Sequence, residues 1–95
     1  MNNVETTVHL SRAGWSRLNA MANARQQGRQ AVFRDKAWKL TRCATPSFDI
    51  SGMPLDCPLN VGLHPELVEG LRALCDSLGV PHECAGELVT CWTAQ

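Results

Sequence analysis

The chain has 95 residues, 44% of them hydrophobic, with nine basic and nine acidic side chains and a pI near 6.8. That length suits one compact domain over residues 1–95, with room for a single core and not for two. No apolar run approaches the roughly 18 residues that span a bilayer, and the start MNNVETTVHL has neither the basic nor the apolar region of a secretory signal, so a cytoplasmic protein without membrane contact is expected.

Val4, Thr6, Val8 and Leu10 alternate with Glu5, Thr7 and His9, the pattern of a half-buried strand. Ser11 stands where an N-cap belongs. Trp15, Leu18, Met21 and Ala22 follow at helical spacing, which predicts a helix over 12–27 that stops at Gly28.

The stretch RQAVFRDKAWKLTRC, Arg29 to Cys43, allows two periods. Wound as a helix, Phe33, Ala37 and Leu40 share a face, but Trp38 falls to the side and the basic residues scatter round the cylinder. Folded as a hairpin turning at Asp35 and Lys36, Phe33 opposes Trp38 and Ala31 opposes Leu40, with Gln30, Arg34, Lys39 and Thr41 on the other face. The hairpin separates apolar from polar better, so two strands are expected here.

Residues 44–64 carry Pro46, Gly52, Pro54, Pro58 and Gly62, which argue against a helix and against any long central strand. They also carry Phe48, Ile50, Met53, Leu55, Leu59, Val61 and Leu63, too many apolar residues for a solvated linker. A long ordered loop lying across the sheet is expected, with short extended pieces near SFDIS and LNVGL. HPELVEGLRALCDSLGV is the clearest helix, with Pro65 at its first position, Leu67, Leu71, Leu74 and Leu78 on one face, and Gly79 as its stop. The tail VPHECAGELVTCWTAQ fits either a helical face or strands. Val89, Thr90 and Trp92, with a turn at Ala85 and Gly86, favour two strands.

The resulting order is strand, helix, strand, strand, loop, helix, strand, strand. It predicts an α+β fold in which a small antiparallel sheet carries two helices on one face. This split βαβ order is similar to that of ferredoxin-like folds, which host many unrelated functions.

The neutral total conceals an asymmetry. Residues 1–43 hold eight basic residues against Glu5 and Asp35, a balance of +6, and residues 44–95 hold Arg72 against seven acids, a balance of −6. Segregation of this kind points to charged partners, or to two halves that neutralise each other in the fold. The absence of net charge favours self-association, so a homodimer or a standing partner is expected.

Five cysteines and no mark of export predict reduced thiols. Cys84 and Cys91, Cys57 and His64, and Cys75 and His82 are each too widely spaced for the close ligand pairs of a structural zinc site, so no metal or other cofactor is expected. His82 and Cys84, placed on a strand, would stand about 7 Å apart, beyond direct hydrogen bonding. No paired carboxylates, phosphate loop or nucleophile motif is present, and no catalytic residue is assigned.

Arg25, Arg29, Arg34, Lys36, Lys39 and Arg42 form the candidate binding set. Two partners suit them. A protein or nucleoprotein complex fits a domain whose opposed charges steer docking, with Phe48, Ile50 and Met53 as apolar anchors on the loop. Direct nucleic-acid binding by the basic face of residues 25–42 is the alternative, weakened because Trp15, Phe33 and Trp38 are expected in the core rather than as stacking platforms. In size and lack of motifs the chain resembles small phage and mobile-element inhibitors, anti-CRISPR proteins among them, which implies a regulator or inhibitor rather than an enzyme.

Overall fold

A computed structural model describes residues 3–43, 46–48 and 54–93. The elements in chain order are β1 (Val4–Leu10), α1 (Arg12–Arg25), α2 (Arg29–Arg42), β2 (Ser47–Phe48), β3 (Cys57–Leu63), α3 (Pro65–Leu78), a 3-10 turn (His82–Cys84), α4 (Ala85–Cys91) and β4 (Trp92–Thr93). The fold is a small α+β domain with four helices among the described residues. It does not follow the expected split βαβ order, because two helices run in succession after β1 and the tail is helical.

β1 pairs antiparallel with β3, from Val4 opposite Leu63 to Leu10 opposite Cys57. The alternation read in β1 decides its two faces. Val8 and Leu10 join Leu59, Val61 and Leu63 in the core, while Glu5, Thr7, His9 and Asn60 face outward. β3 corrects the expectation of a loop, since the LNVGL piece extends to a seven-residue strand. Pro58 is tolerated because the sheet has two strands among the described residues, leaving its missing N–H on an outer edge.

Ser11 caps α1 as expected, its hydroxyl accepting from the Gly14 N–H at 3.0 Å. The helix stops earlier than Gly28 suggested. Gln26 takes the left-handed conformation, φ 55°, and its N–H turns back onto the carbonyls of Ala22 and Asn23.

The expected hairpin over 29–43 is instead the fourteen-residue helix α2. Its neighbours explain why it lacks a single stripe: α2 packs against α1, α3, α4 and β3. A helix enclosed on several sides buries a broad arc, here Val32, Phe33, Ala37 and Leu40, and the remaining apolar rings find cover elsewhere. Trp38, off this arc, is half-buried with its ring centroid 6.0 Å from that of His64.

α3 forms with the expected start and stop, but its buried stripe is Leu67, Leu71 and Cys75, with Leu74 half-buried and Leu78 exposed. His64 precedes Pro65 as N-cap, its Nδ1 accepting from Glu66 N–H at 3.1 Å, and Gly79 closes the helix at φ 70°. The tail corrects the second hairpin. α4 has its residues from Gly86 to Cys91 buried, Glu87 and Thr90 included, so it runs through the interior, and an element buried on all sides shows no strand-like or helix-like alternation. The short β4 then pairs with β2, Phe48 opposite Trp92. Every helix contributes to the core cluster, together with β1, β3 and Trp92.

Candidate docking surface on the central helix

The six basic residues do not form a free face. Arg25 and Lys39 share one carboxylate, their nitrogens 3.0 and 3.1 Å from Asp35 Oδ2. Arg34 Nη1 donates to the Gly62 carbonyl at 3.4 Å, and Lys36 Nζ to the Trp92 carbonyl at 3.3 Å. Arg29 Nε donates to Asn19 Oδ1.

Three of these cations lie over indole rings. Arg29 stands 5.0 Å from the centroid of Trp15, Lys36 4.9 Å from Trp92, and Arg42 5.3 Å from Trp38. The chain has three tryptophans, so each has a cation of α2 over it. The attraction of a cation for a ring face is worth about 0.5–1 kcal/mol at an exposed site. The aliphatic stems also shield the rings from water, which is how α2 carries both charge and packing.

The surroundings shift two titrations in the same direction for different reasons. Asp35 is held below the usual carboxylate range by the hydrogen bonds from Lys39 and Arg25. Lys36 is pushed below the ordinary lysine value, first by burial and then by the positive charge of Arg25 nearby. Arg25, Arg29, Lys39 and Arg42 are exposed, and Arg34 and Lys36 half-buried, so the accessible part of the candidate set is the former four.

A second polar cluster escaped the sequence reading. Glu87 is 5% exposed and accepts from Ser11 N–H at 2.7 Å, Ser11 Oγ at 2.8 Å and Arg17 Nη2 at 3.1 Å. Arg17 Nε also donates to the Thr90 carbonyl at 3.1 Å. One carboxylate therefore ties the start of α1 to α4, and its ionised form is compensated by three donors. Gly14 is required beside it, because a Cβ there would stand 2.8 Å from both Glu87 Oε2 and Thr90 Oγ1. The N-cap at Ser11 was readable, but its partner lies 76 residues away, and no spacing rule connects them.

Of the loop anchors, Phe48 is half-buried in β2 and lines an open groove of about 700 Å³ with Leu74 and Leu78, whereas Ile50 and Met53 lie outside the described residues. His82 and Cys84 sit in the 3-10 turn rather than on a strand, and His82 Nε2 is 2.7 Å from Asp76 Oδ1. Burial pushes the thiols of Cys75 and Cys84 up, which favours the protonated form over a nucleophilic thiolate. Among the described residues no cluster of His, Cys, Asp or Glu could hold a metal ion, and no helix is long and apolar enough to cross a membrane.

No protein-family model, curated protein or solved structure matches the chain.

Proposed function

We propose that the protein is a small non-catalytic binding protein, a regulator or inhibitor, that docks on a protein or nucleoprotein complex through separated basic and acidic surfaces. One observation carries this reading. Of the six ion pairs among the described residues, only Arg12 with Asp56, at 3.9 Å, and Arg17 with Glu87 join the basic first half to the acidic second half. The other four lie within one half, so few charges are paired between the halves, and Glu66, Glu69, Asp76 and Glu83 stay exposed, as do Arg25, Arg29, Lys39 and Arg42. Opposed surface charges of this kind steer encounter and fix orientation. The test is capture of a partner from the native host with the wild-type chain and with Lys39→Glu/Arg42→Glu. The expected result is a stoichiometric partner held by the first and lost by the second; recovery of none counts against the reading.

Direct nucleic-acid binding by residues 25–42 is the second reading, favoured by the exposed Arg29 and Arg42 lying over the half-buried rings of Trp15 and Trp38. Such stacked pairs offer a cation beside a ring, as single-strand binders do. A mobility-shift series with single- and double-stranded DNA and RNA tests it. Binding that weakens steeply with salt supports it, and no shift at low salt removes it.

A further inference from the structure

In an antiparallel pair, residues alternate between those whose backbone N–H and C=O face the partner strand and those whose groups face away. On β3, the carbonyls of Asn60 and Gly62 are taken by side chains of α2, Gln30 Nε2 at 3.3 Å and Arg34 Nη1 at 3.4 Å. Pro58 belongs to the same alternate set and has no N–H to offer. Residues 58, 60 and 62 therefore turn their backbone groups away from β1. Their partners His9, Thr7 and Glu5 turn theirs away from β3, onto the outer edge of β1.

The two outer edges of the sheet are treated differently. That of β3 is covered by α2. That of β1 is met by the 3-10 turn and by α4, and a Cβ on Gly86 would stand 3.1 Å from the His9 carbonyl oxygen. Among the described residues, no loop or turn hydrogen bond reaches the backbone of Glu5 or Thr7. Beneath this stretch lies a cavity of about 320 Å³, with Leu63, Leu71 and Ala85 in its lining and Arg72, His82 and Glu83 as its polar part. Its volume falls at the lower end of ligand pockets, which span roughly 300–1,000 Å³.

We propose that the edge of β1 at Glu5–Thr7, with the cavity beneath it, docks an extended peptide segment of a partner protein. The segment adds as a third strand. Its backbone meets the outward groups of Glu5 and Thr7, and one apolar side chain enters the cavity, since alternate residues of a strand point to opposite faces. Glu5 is exposed and in none of the ion pairs among the described residues, so a basic side chain opposite it suits the solvent face. A second copy of the chain fits less well. Self-pairing centred on Glu5 sets like charges opposite each other, and pairing centred on Thr7 reaches His9, where Gly86 stands. The proposal goes beyond the docking by α2 and stands whether or not the α2 cations meet a partner.

The probe is an acetylated and amidated peptide of alternating lysine and valine, five residues long, with amide exchange and titration by NMR as readouts. Bound peptide is expected to slow exchange at the Glu5 and Thr7 amides at least about tenfold. Methylating the peptide nitrogens that face β1 is expected to weaken binding about tenfold or more, since a net hydrogen bond is worth roughly 0.5–1.5 kcal/mol and several are lost. Thr7→Pro removes the outward N–H without touching the ladder to β3, and abolishes binding. Ala85→Leu fills the cavity from α4 and weakens it. Should Thr7→Pro fail to fold, the methylated peptide on the wild-type chain decides the matter. No binding at millimolar peptide, equal binding of the methylated peptide, or a dimer whose Glu5 and Thr7 amides are already protected overturns the proposal.

Discussion

α2 and α3 have the same length, fourteen residues, and opposite designs. α3 sits at the side of the fold and buries one stripe, Leu67, Leu71 and Cys75, under a proline start and a glycine stop. α2 lies among α1, α3, α4 and β3 and buries a wider arc, while its charged residues cover tryptophans and bond carbonyls of other elements. The difference teaches that a lysine or arginine on an enclosed helix is part of its packing. Only the remainder of its charge is open to a partner.

The largest test of that contrast compares the two helices' buried anchors. Phe33→Ala is expected to cost about 3–5 kcal/mol, and Leu71→Ala about 2–5 kcal/mol. Both side chains are buried, Phe33 at 0% exposed and Leu71 at 3%. Urea unfolding measures both; a loss at Phe33 no greater than at an exposed position would remove α2 from the centre of the core.

The helix ends provide the next two. Gly79 holds φ 70° with nothing within 4 Å of where a Cβ would be, so Gly79→Ala isolates backbone strain and is expected to cost about 1–2 kcal/mol. Gln26 meets the same demand at φ 55° with a side chain in place. Gln26→Gly is accordingly expected to raise stability by up to about 1 kcal/mol, the reverse of the Gly79 result, and a change of the same sign at both sites would contradict these assignments.

The smallest effect concerns Lys36. Its folded pKa lies below the ordinary 10.5, so between the two values the unfolded chain holds more protons. The penalty is fully present at neutral pH and disappears as pH rises toward 10.5. Lys36→Met keeps the aliphatic stem over Trp92 and removes the titration, so its stability relative to the wild-type chain is expected to be greater at pH 7 than on the alkaline side. Because buried thiols titrate there too, the quantity to follow is the difference between the two chains' thermal midpoints across pH.

Elements with one buried face were legible in the sequence. The alternation in Val4 to Leu10 and the caps around Pro65 and Gly79 are local signals, and both survived intact. The stretch from Arg29 to Cys43 was misread as a hairpin, because its polar and apolar residues sort better with period two when only one side is assumed to be buried. α4 failed for a related reason, since Gly86 to Cys91 are all buried and display no period. The candidate basic set was identifiable by charge alone, but the partners of Arg34, Lys36 and Arg29 depended on which elements came to lie beside α2.

What the sequence by itself determined is therefore the α+β class, the first strand, the helices α1 and α3 with their starts, and the charge division between the two halves. These follow from forces acting within a few residues: capping, side-chain period and composition. The tertiary structure alone decided that α2 is a helix enclosed on several sides, that Glu87 clasps Ser11 across 76 residues, and that β3 is the strand that pairs with β1 among the described residues. Each of these depends on which surfaces meet, and burial acts on whatever the whole chain brings together rather than on neighbours in sequence.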